Sequence, residues 1–584
     1  MFGAGAAIGL VAAPPPQLAE WQNRVMTQID VLAADYWDRN NEANPTSATI
    51  IGDRRFDHLL DDISPEATEK VLSEYRRIRA EAEALDESDL NHQGRITRSM
   101  LMSETQSDID MIETGVFYGA CDPNTGVLVG LLQAAGQTVA TTPENAAALL
   151  ERYRQVPRLF GQALERHVTE FAAGRTPTAS NISRVLSQLD GYLGSESADD
   201  PFAQTAGPEG WDGLSEWRGK LERTATEIIR PALSKYREGV EQLLDKGRDD
   251  DHPGLCHIPR GDEDYLRAIR TFTNLPFTAQ ELHEIGREEA EGRLAEEFRA
   301  LGDNALGTSD LDEVLDRLRN DPTLRYENAV AITTDAETYV ALSWAAAPDW
   351  FNLRPSVNCQ VKEVPAALAK DVPPAYYFPP ATDGSRPGTY FINTYDASGR
   401  ARYSGQAVAY HEANPGHHFQ LTLSTELTDI PEFRKHSLTY AFVEGWGLYS
   451  ERLADEMGLY TDDLMRLGMV SADAWRACRL VVDTGLHALG WTRQQAVDYM
   501  HKWCAIDEPS VQVEVDRYIG MPGQALAYKV GQREIFRLRE KAQVDLGDRF
   551  DIKDFHDVCL GSGNITLPIL SDLVEAWVRK ARSA

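Results

Sequence analysis

Tyr410-His411-Glu412-Ala413-Asn414-Pro415-Gly416-His417-His418-Phe419-Gln420 is the stretch on which the reading of this chain turns. The 584 residues hold 13 histidines, and three of them fall here within eight positions. A helix that starts near Ser404 carries His411 and Glu412 in its last full turn. Pro415 then stops it, because proline has no backbone donor and its ring clashes with the carbonyl four residues back. In the zinc-peptidase helix HExxH, two histidines one turn apart bind the metal and the glutamate acts as general base. Here the fifth position is Pro415 instead. On a straight helix His418 lies about 10.5 Å beyond His411 on the same face, and His417 faces roughly 120° away. Two nitrogens bound at ~2.0–2.1 Å to one zinc must be far closer than that. A kink or short insertion at Pro415-Gly416 is needed to fold a second histidine back, and helical phase favours His418, with His417 the alternative. A histidine at a helix C-terminus, facing the negative dipole end, is the plain structural explanation for one of them. It does not account for Glu412 beside three.

A carboxylate is expected as third ligand. Residues 437–455 read SLTYAFVEGWGLYSERLAD and have helical period, with Leu438, Ala441, Phe442, Gly445 and Leu448 on one side. Glu444 lies among Ala441, Phe442, Val443 and Trp446, where an unpaired carboxylate is costly to bury and metal ligation offsets the cost. Glu451, seven residues on, either supports a ligating histidine from behind or belongs with Arg452 and Asp455 to a solvated end.

Around these segments the sequence is helical in its punctuation. Ser64-Pro65-Glu66 and Thr142-Pro143-Glu144 each place a cap before a first-turn proline. Thr278 with Glu281, and Thr492 with Gln495, make capping boxes; the first opens a helix expected to reach Gly302. Strand signal is confined to the proline-rich residues 355–395, in Val357, Cys359 and Val361 and in the run Thr389-Tyr390-Phe391-Ile392-Asn393. The last run precedes the histidine helix, and is a candidate to pair with extended substrate backbone through Tyr390 or Asn393, or is an ordinary strand of a small sheet.

Composition sets limits. With 58 Lys+Arg against 91 Asp+Glu, the net charge of −33 argues against nucleic acid or an anionic membrane as partner. No apolar run reaches the ~18 residues of a membrane span. The six cysteines form no CxxC pair and read as free thiols. Residues 3–13 are small and apolar but lack a basic flank, so a cytoplasmic tail is favoured over an export signal. Nothing in the chain marks an oligomeric state.

The motif His-Glu-x-x-Pro-Gly-His-His, followed some 25 residues later by Phe-x-Glu-Gly-Trp, resembles the bacterial family catalogued as domain of unknown function 885. Asn44-Pro45-Thr46, Asp483-Thr484-Gly485-Leu486-His487, Arg517-Tyr518, Pro522-Gly523-Gln524-Ala525, Tyr528-Lys529-Val530-Gly531 and Phe555-His556-Asp557 extend the resemblance over most of the chain. More distantly the chain is similar to the helical gluzincin zinc peptidases. That similarity implies Glu412 as general base, two histidines and Glu444 as zinc ligands, and an activated water as nucleophile. It also implies a late tyrosine or histidine as oxyanion donor, for which Tyr528, Tyr518 and His487 are the candidates. Asp483, one turn before His487, is placed to orient that imidazole. Arg386, Arg402 and Arg517 are candidates to clamp a substrate carboxylate.

The expectation is a mainly α, two-lobed metallopeptidase-like fold with a small β element next to the active-site helix. A flexible tail (residues 1–20), a helical lobe (21–350) and a catalytic lobe (351–584) divide it. The expected function is Zn2+-dependent hydrolysis of small or unfolded peptides. Its rivals are a metal-dependent enzyme acting on another amide or amino-acid derivative, and a non-catalytic protein with a structural metal site.

Overall fold

The computed structural model describes residues 27–115, 121–364, 369 and 373–583. The expected tail and the apolar residues 3–13 lie outside them. The described chain is mainly helical. The helix starts follow their caps: Ser64 accepts from the Ala67 amide ahead of Pro65–Ala84, and both capping boxes form. The helix after Thr278 widens at Glu288–Leu294 and runs on to Leu306, past the expected end at Gly302.

Three short strands form the β element: β1 (Gln360–Glu363), β2 (Ala375–Phe378) and β3 (Thr389–Ile392). Their order is β1-β3-β2, with β3 parallel to β1 and antiparallel to β2, and Tyr390 opposite both Val361 and Tyr377. Of the two readings of β3, this is the ordinary strand of a small sheet and not a strand open to substrate. A strand paired on both edges has no free ladder to offer. Tyr390 is buried, and Asn393 is buried with its amide donating to the Ala369 and Pro373 carbonyls. The sequence reading passed over β2, whose four residues lie between two proline pairs.

Six helices carry the site and its surroundings: α1 (Gly405–Glu412), α2 (His417–Glu426), α3 (Tyr440–Glu456), α4 (Asp463–His487), α5 (Glu508–Gly520) and α6 (Ala527–Leu546). α3 and α6 cross at a glycine pair. A Cβ on Gly445 would stand 2.4 Å from the Gly531 Cα, and one on Gly531 only 1.8 Å from the Ala441 carbonyl oxygen. Lys529 on α6 donates to Asp473 of α4 at 2.5 Å and pairs with Glu289 at 3.3 Å, so its buried ammonium is compensated.

Buried apolar side chains gather in three clusters. One lies within residues 60–240. The largest joins Ile29 and Leu32 near the start to Val574 and Val578 near the end, and includes Phe419, Trp446 and Tyr528. The third holds Tyr390, Ala407, Tyr410, Ala413 and Tyr518. α1 belongs to this third cluster and α3 to the largest, so the histidine segment runs along the seam between two cores.

Candidate metal centre

The helix carrying His411 does not kink; it ends. α1 stops at Glu412, residues 413–416 turn, and α2 begins at His417. A Cβ on Gly416 would lie 1.9 Å from the His411 carbonyl oxygen, so the return is tight enough to need glycine there. Trp446 on α3 clamps it, donating its indole N–H to the Pro415 carbonyl at 2.8 Å.

The break decides which histidine returns. His417 Nε2 lies 3.4 Å from Glu444 Oε2, and His411 Nε2 lies 3.7 Å from the same oxygen. The three donor atoms of His411, His417 and Glu444 fall within 4.8 Å of one another. This corrects the preference for His418. Helical phase cannot be carried across a turn that starts a new helix, and one residue on that helix is a rotation of about 100°. His418 faces the sheet instead: its Nε2 is 3.0 Å from the Val357 carbonyl, and its Nδ1 meets the Tyr377 hydroxyl of β2 at 3.0 Å. Burial pushes its pKa down to about 4, and the imidazole is neutral and structural.

The donor set fits a zinc ion. Ligands at ~2.0–2.1 Å in a tetrahedron stand about 3.3 Å apart, close to the two separations at Glu444. His411 Nδ1 donates to Glu451 Oε1 at 2.8 Å, which leaves Nε2 to face Glu444 and His417. Among the described residues the His417 Nδ1 finds no hydrogen-bond partner. Burial alone would lower the His411 pKa; hydrogen bonds to Glu444 and Glu451, and the charges of Glu451 and Glu412, overcome it and raise it to about 9, so a metal at Nε2 would take the place of a proton. Burial would likewise raise Glu444, but the two imidazoles hold it well below the usual carboxylate range. The arrangement therefore gathers positive charge around a half-buried carboxylate, and a divalent cation can replace the proton.

The motif Glu444-Gly445-Trp446-Gly447 has a separate task at each position. Glu444 supplies the carboxylate, Gly445 admits α6, and Trp446 holds the turn. Gly447 makes room for His411: a Cβ there would lie 2.7 Å from the ring's Cε1. The signal for Gly447 was in the sequence, as the second glycine of the motif, but sequence reading gave it no role.

Glu412 follows His411 at the end of α1, half-buried, and its charge is felt by Cys359 and Tyr390 on the sheet side. Of the three oxyanion-donor candidates, Tyr528 is beside the cluster. Its ring stacks on His411 with centroids 6.5 Å apart and planes at 24°. Tyr518 is excluded by its bonds: its hydroxyl accepts from Trp475 and Arg479, both at 2.9 Å, and donates to Glu514 at 2.7 Å. His487 is excluded too. The Leu255 amide donates to its Nδ1 at 3.1 Å, its Nε2 meets the Tyr518 carbonyl at 2.9 Å, and burial lowers its pKa to about 4. Asp483 does not orient it; that carboxylate accepts from Tyr265 at 2.6 Å and from the Gly523 amide. Arg386 is spent on the Ile50 and Pro379 carbonyls. Sequence reading missed Arg476 and Arg479 of α4, which pack over Tyr528 with guanidinium carbons 5.8 and 4.6 Å from its centroid.

Fold and site together define a mainly helical protein with a His–His–Glu cluster, its histidines buried and its glutamate half-buried, at the seam of two cores. The chain belongs to the family described as "Bacterial protein of unknown function (DUF885)", whose model matches residues 45–574. No curated protein matches the chain. Among solved structures it is similar to "the putative lipoprotein from Colwellia psychrerythraea", at 27% identity and a TM-score of 0.88, over 95% of this chain and 99% of that one. It also shares its fold with "a putative lipoprotein of unknown function from Shewanella oneidensis", at 19% identity and a TM-score of 0.71, over 94% of this chain and 100% of that one. Among the described residues no helix is long and apolar enough to cross a membrane.

Proposed function

We propose that the protein is a zinc-dependent hydrolase of peptide bonds in small or unfolded peptides, with His411, His417 and Glu444 as ligands. The observation that carries this reading is the convergence of those three donors within 4.8 Å, with Glu412 next in sequence to one of them. Bound zinc would supply Lewis acidity for the scissile carbonyl and make a nearby water acidic. The chain supplies the rest. Glu412 accepts the proton of the attacking water and passes it to the leaving amine. Glu451 holds His411 in the tautomer whose Nε2 is a donor to metal. Tyr528 is the hydroxyl placed to steady the developing oxyanion. His411, His417 and Glu444 would hold zinc with three protein donors, which would leave room for a water, as catalysis needs and a structural site does not.

Elemental analysis and turnover test this together. About one zinc per chain is expected, lost in His411→Ala and in Glu444→Ala. Glu412→Gln should retain zinc and lose hydrolysis of a peptide pool; unchanged hydrolysis in that variant would sink the reading. Tyr528→Phe should lower kcat more than it raises KM.

We further propose export in place of the cytoplasmic location expected from the sequence. The support is the Colwellia relative, described as a lipoprotein and matched along nearly its whole length. Cell fractionation with an antibody against the chain tests it, and recovery in the cytosol alone would rule it out.

A further inference from the structure

Beside the metal centre lies a group of positive charges that the proposed hydrolysis does not use. Arg476 and Arg479 on α4 and Arg517 on α5 surround Tyr518 and Tyr528. Glu514 compensates two of them: it pairs with Arg479 at 3.0 Å and Arg517 at 3.2 Å, and those charges hold its carboxyl down at about 2 against the effect of burial. Arg476 is different. Its guanidinium donates only to the Ala472 carbonyl of its own helix, at 3.2 Å. Its nearest carboxylate is Glu451, 3.9 Å away, and that oxygen already accepts from His411. The Nε of Arg476 and the Nε of Arg517 are buried without a hydrogen-bond partner. The two side chains keep 13% and 22% exposure, so neither is sealed in the core. A protein of net charge −33 thus keeps, next to its candidate metal centre, a cation whose one close carboxylate among the described residues is shared with His411. A charge so weakly paired in a desolvated setting is unfavourable, and an anion would relieve it.

We propose that Arg476, with Arg517, binds the C-terminal carboxylate of the peptide, which makes the protein an exopeptidase working from the C-terminus. This deepens the hydrolase reading and rests on it for the reaction, though not for the binding. The spacing suits a short product. His411 stacks on Tyr528 at 6.5 Å, and the Arg476 guanidinium carbon lies 5.8 Å from the same ring's centroid and, through Glu451, one carboxylate oxygen away from His411. An extended chain spans at most ~3.3–3.6 Å per residue, so the carboxylate falls within about three residues of the scissile bond. Arg479 and Glu514 are positioning residues here: they fix Arg517 and the Tyr518 hydroxyl. A guanidinium matches a carboxylate with two parallel hydrogen bonds, which an amidated terminus cannot receive.

The test is equilibrium binding by calorimetry to the zinc-loaded, full-length Glu412→Gln chain, which separates recognition from turnover. The probes are N-acetyl-Ala-Ala-Phe as free acid and as C-terminal amide. The acid is expected to bind at least tenfold more tightly. Adding Arg476→Met should bring the acid to the level of the amide, and Arg476→Lys should restore part of the preference. Arg517→Gln is the second variant should Arg476→Met not fold, with zinc content and circular dichroism as folding controls. Equal binding of acid and amide, no binding of either, or a preference that survives both Arg476→Met and Arg517→Gln would overturn the inference. Glu412-dependent turnover of a peptide pool by the unaltered chain, alongside equal binding, would leave the hydrolase reading standing and remove this one alone. An acid preference without any turnover would do the reverse.

Discussion

Gly447 leaves the space that the His411 ring fills, and Glu451, one turn further along the same helix, holds the ring's Nδ1 at 2.8 Å. Both would act on a bound metal through His411 without touching it. Glu451→Ala should weaken zinc affinity by about 10–100-fold, the usual cost of losing such a partner. Gly447→Ala should cost a comparable factor while far-ultraviolet dichroism stays unchanged; competition with a chromophoric chelator measures both. The neighbouring histidines give a sharper contrast. His417→Ala should abolish zinc retention, whereas His418→Ala should keep the metal and lower stability through the lost contacts to Tyr377 and Val357. His411 was legible in sequence as part of a histidine cluster, and Glu444 as a carboxylate among apolar neighbours on a periodic helix; Glu451, beside Arg452, was left between two readings. The choice between His417 and His418 was not legible, because it depends on where a helix restarts after a turn. Arg476 was hidden for another reason: an arginine beside a tryptophan on a long helix carries no local mark of what it faces.

At the scale of elements, α3 and α6 approach as closely as they do because two glycines meet. Gly531→Ala puts a methyl against the Ala441 carbonyl, and the helices must separate. Overpacking of this kind costs about 1–3 kcal/mol, which should appear as a lower urea midpoint with little change in slope. Zinc affinity should fall as well, since Glu444 rides on α3. Helix starts were readable in the sequence because caps and first-turn prolines are local chemistry. The strand order was not. Thr389–Ile392 has a strand's composition, but its partners come from residues 360–363 and 375–378, and composition alone does not say that both edges are filled.

The whole molecule should be most stable between two opposing titrations. His167, His487 and His556 are held neutral by burial, with pKa values pushed down to about 4, about 4 and about 3. The unfolded imidazole titrates near ~6.5, so the stability they contribute is complete above that pH and is lost as pH falls toward ~4. Burial acts oppositely on carboxyls, raising Glu104 to about 8, Asp108 to about 7 and Asp483 to about 7. Their contribution is complete below the unfolded values near ~4 and is lost as pH rises through ~7–8. With His418 and His436, also pushed down to about 4 by burial, five imidazoles oppose three carboxyls between ~4 and ~6.5, so urea midpoints should rise gently to a maximum near ~6.5 and fall above it, and His556→Gln should reduce proton uptake on the acid limb by close to one. The largest apolar cluster carries a consequence for biosynthesis. It joins Ile29 and Leu32 to Val574 and Val578 and backs Trp446, which clamps the turn before His417. A ribosome releases His411, His417 and Glu444 well over a hundred residues before it releases the last helix, Leu567–Ser583. Until that helix packs on α6, the cluster that includes Trp446 is unfinished, so uptake of zinc should follow its docking and not precede it.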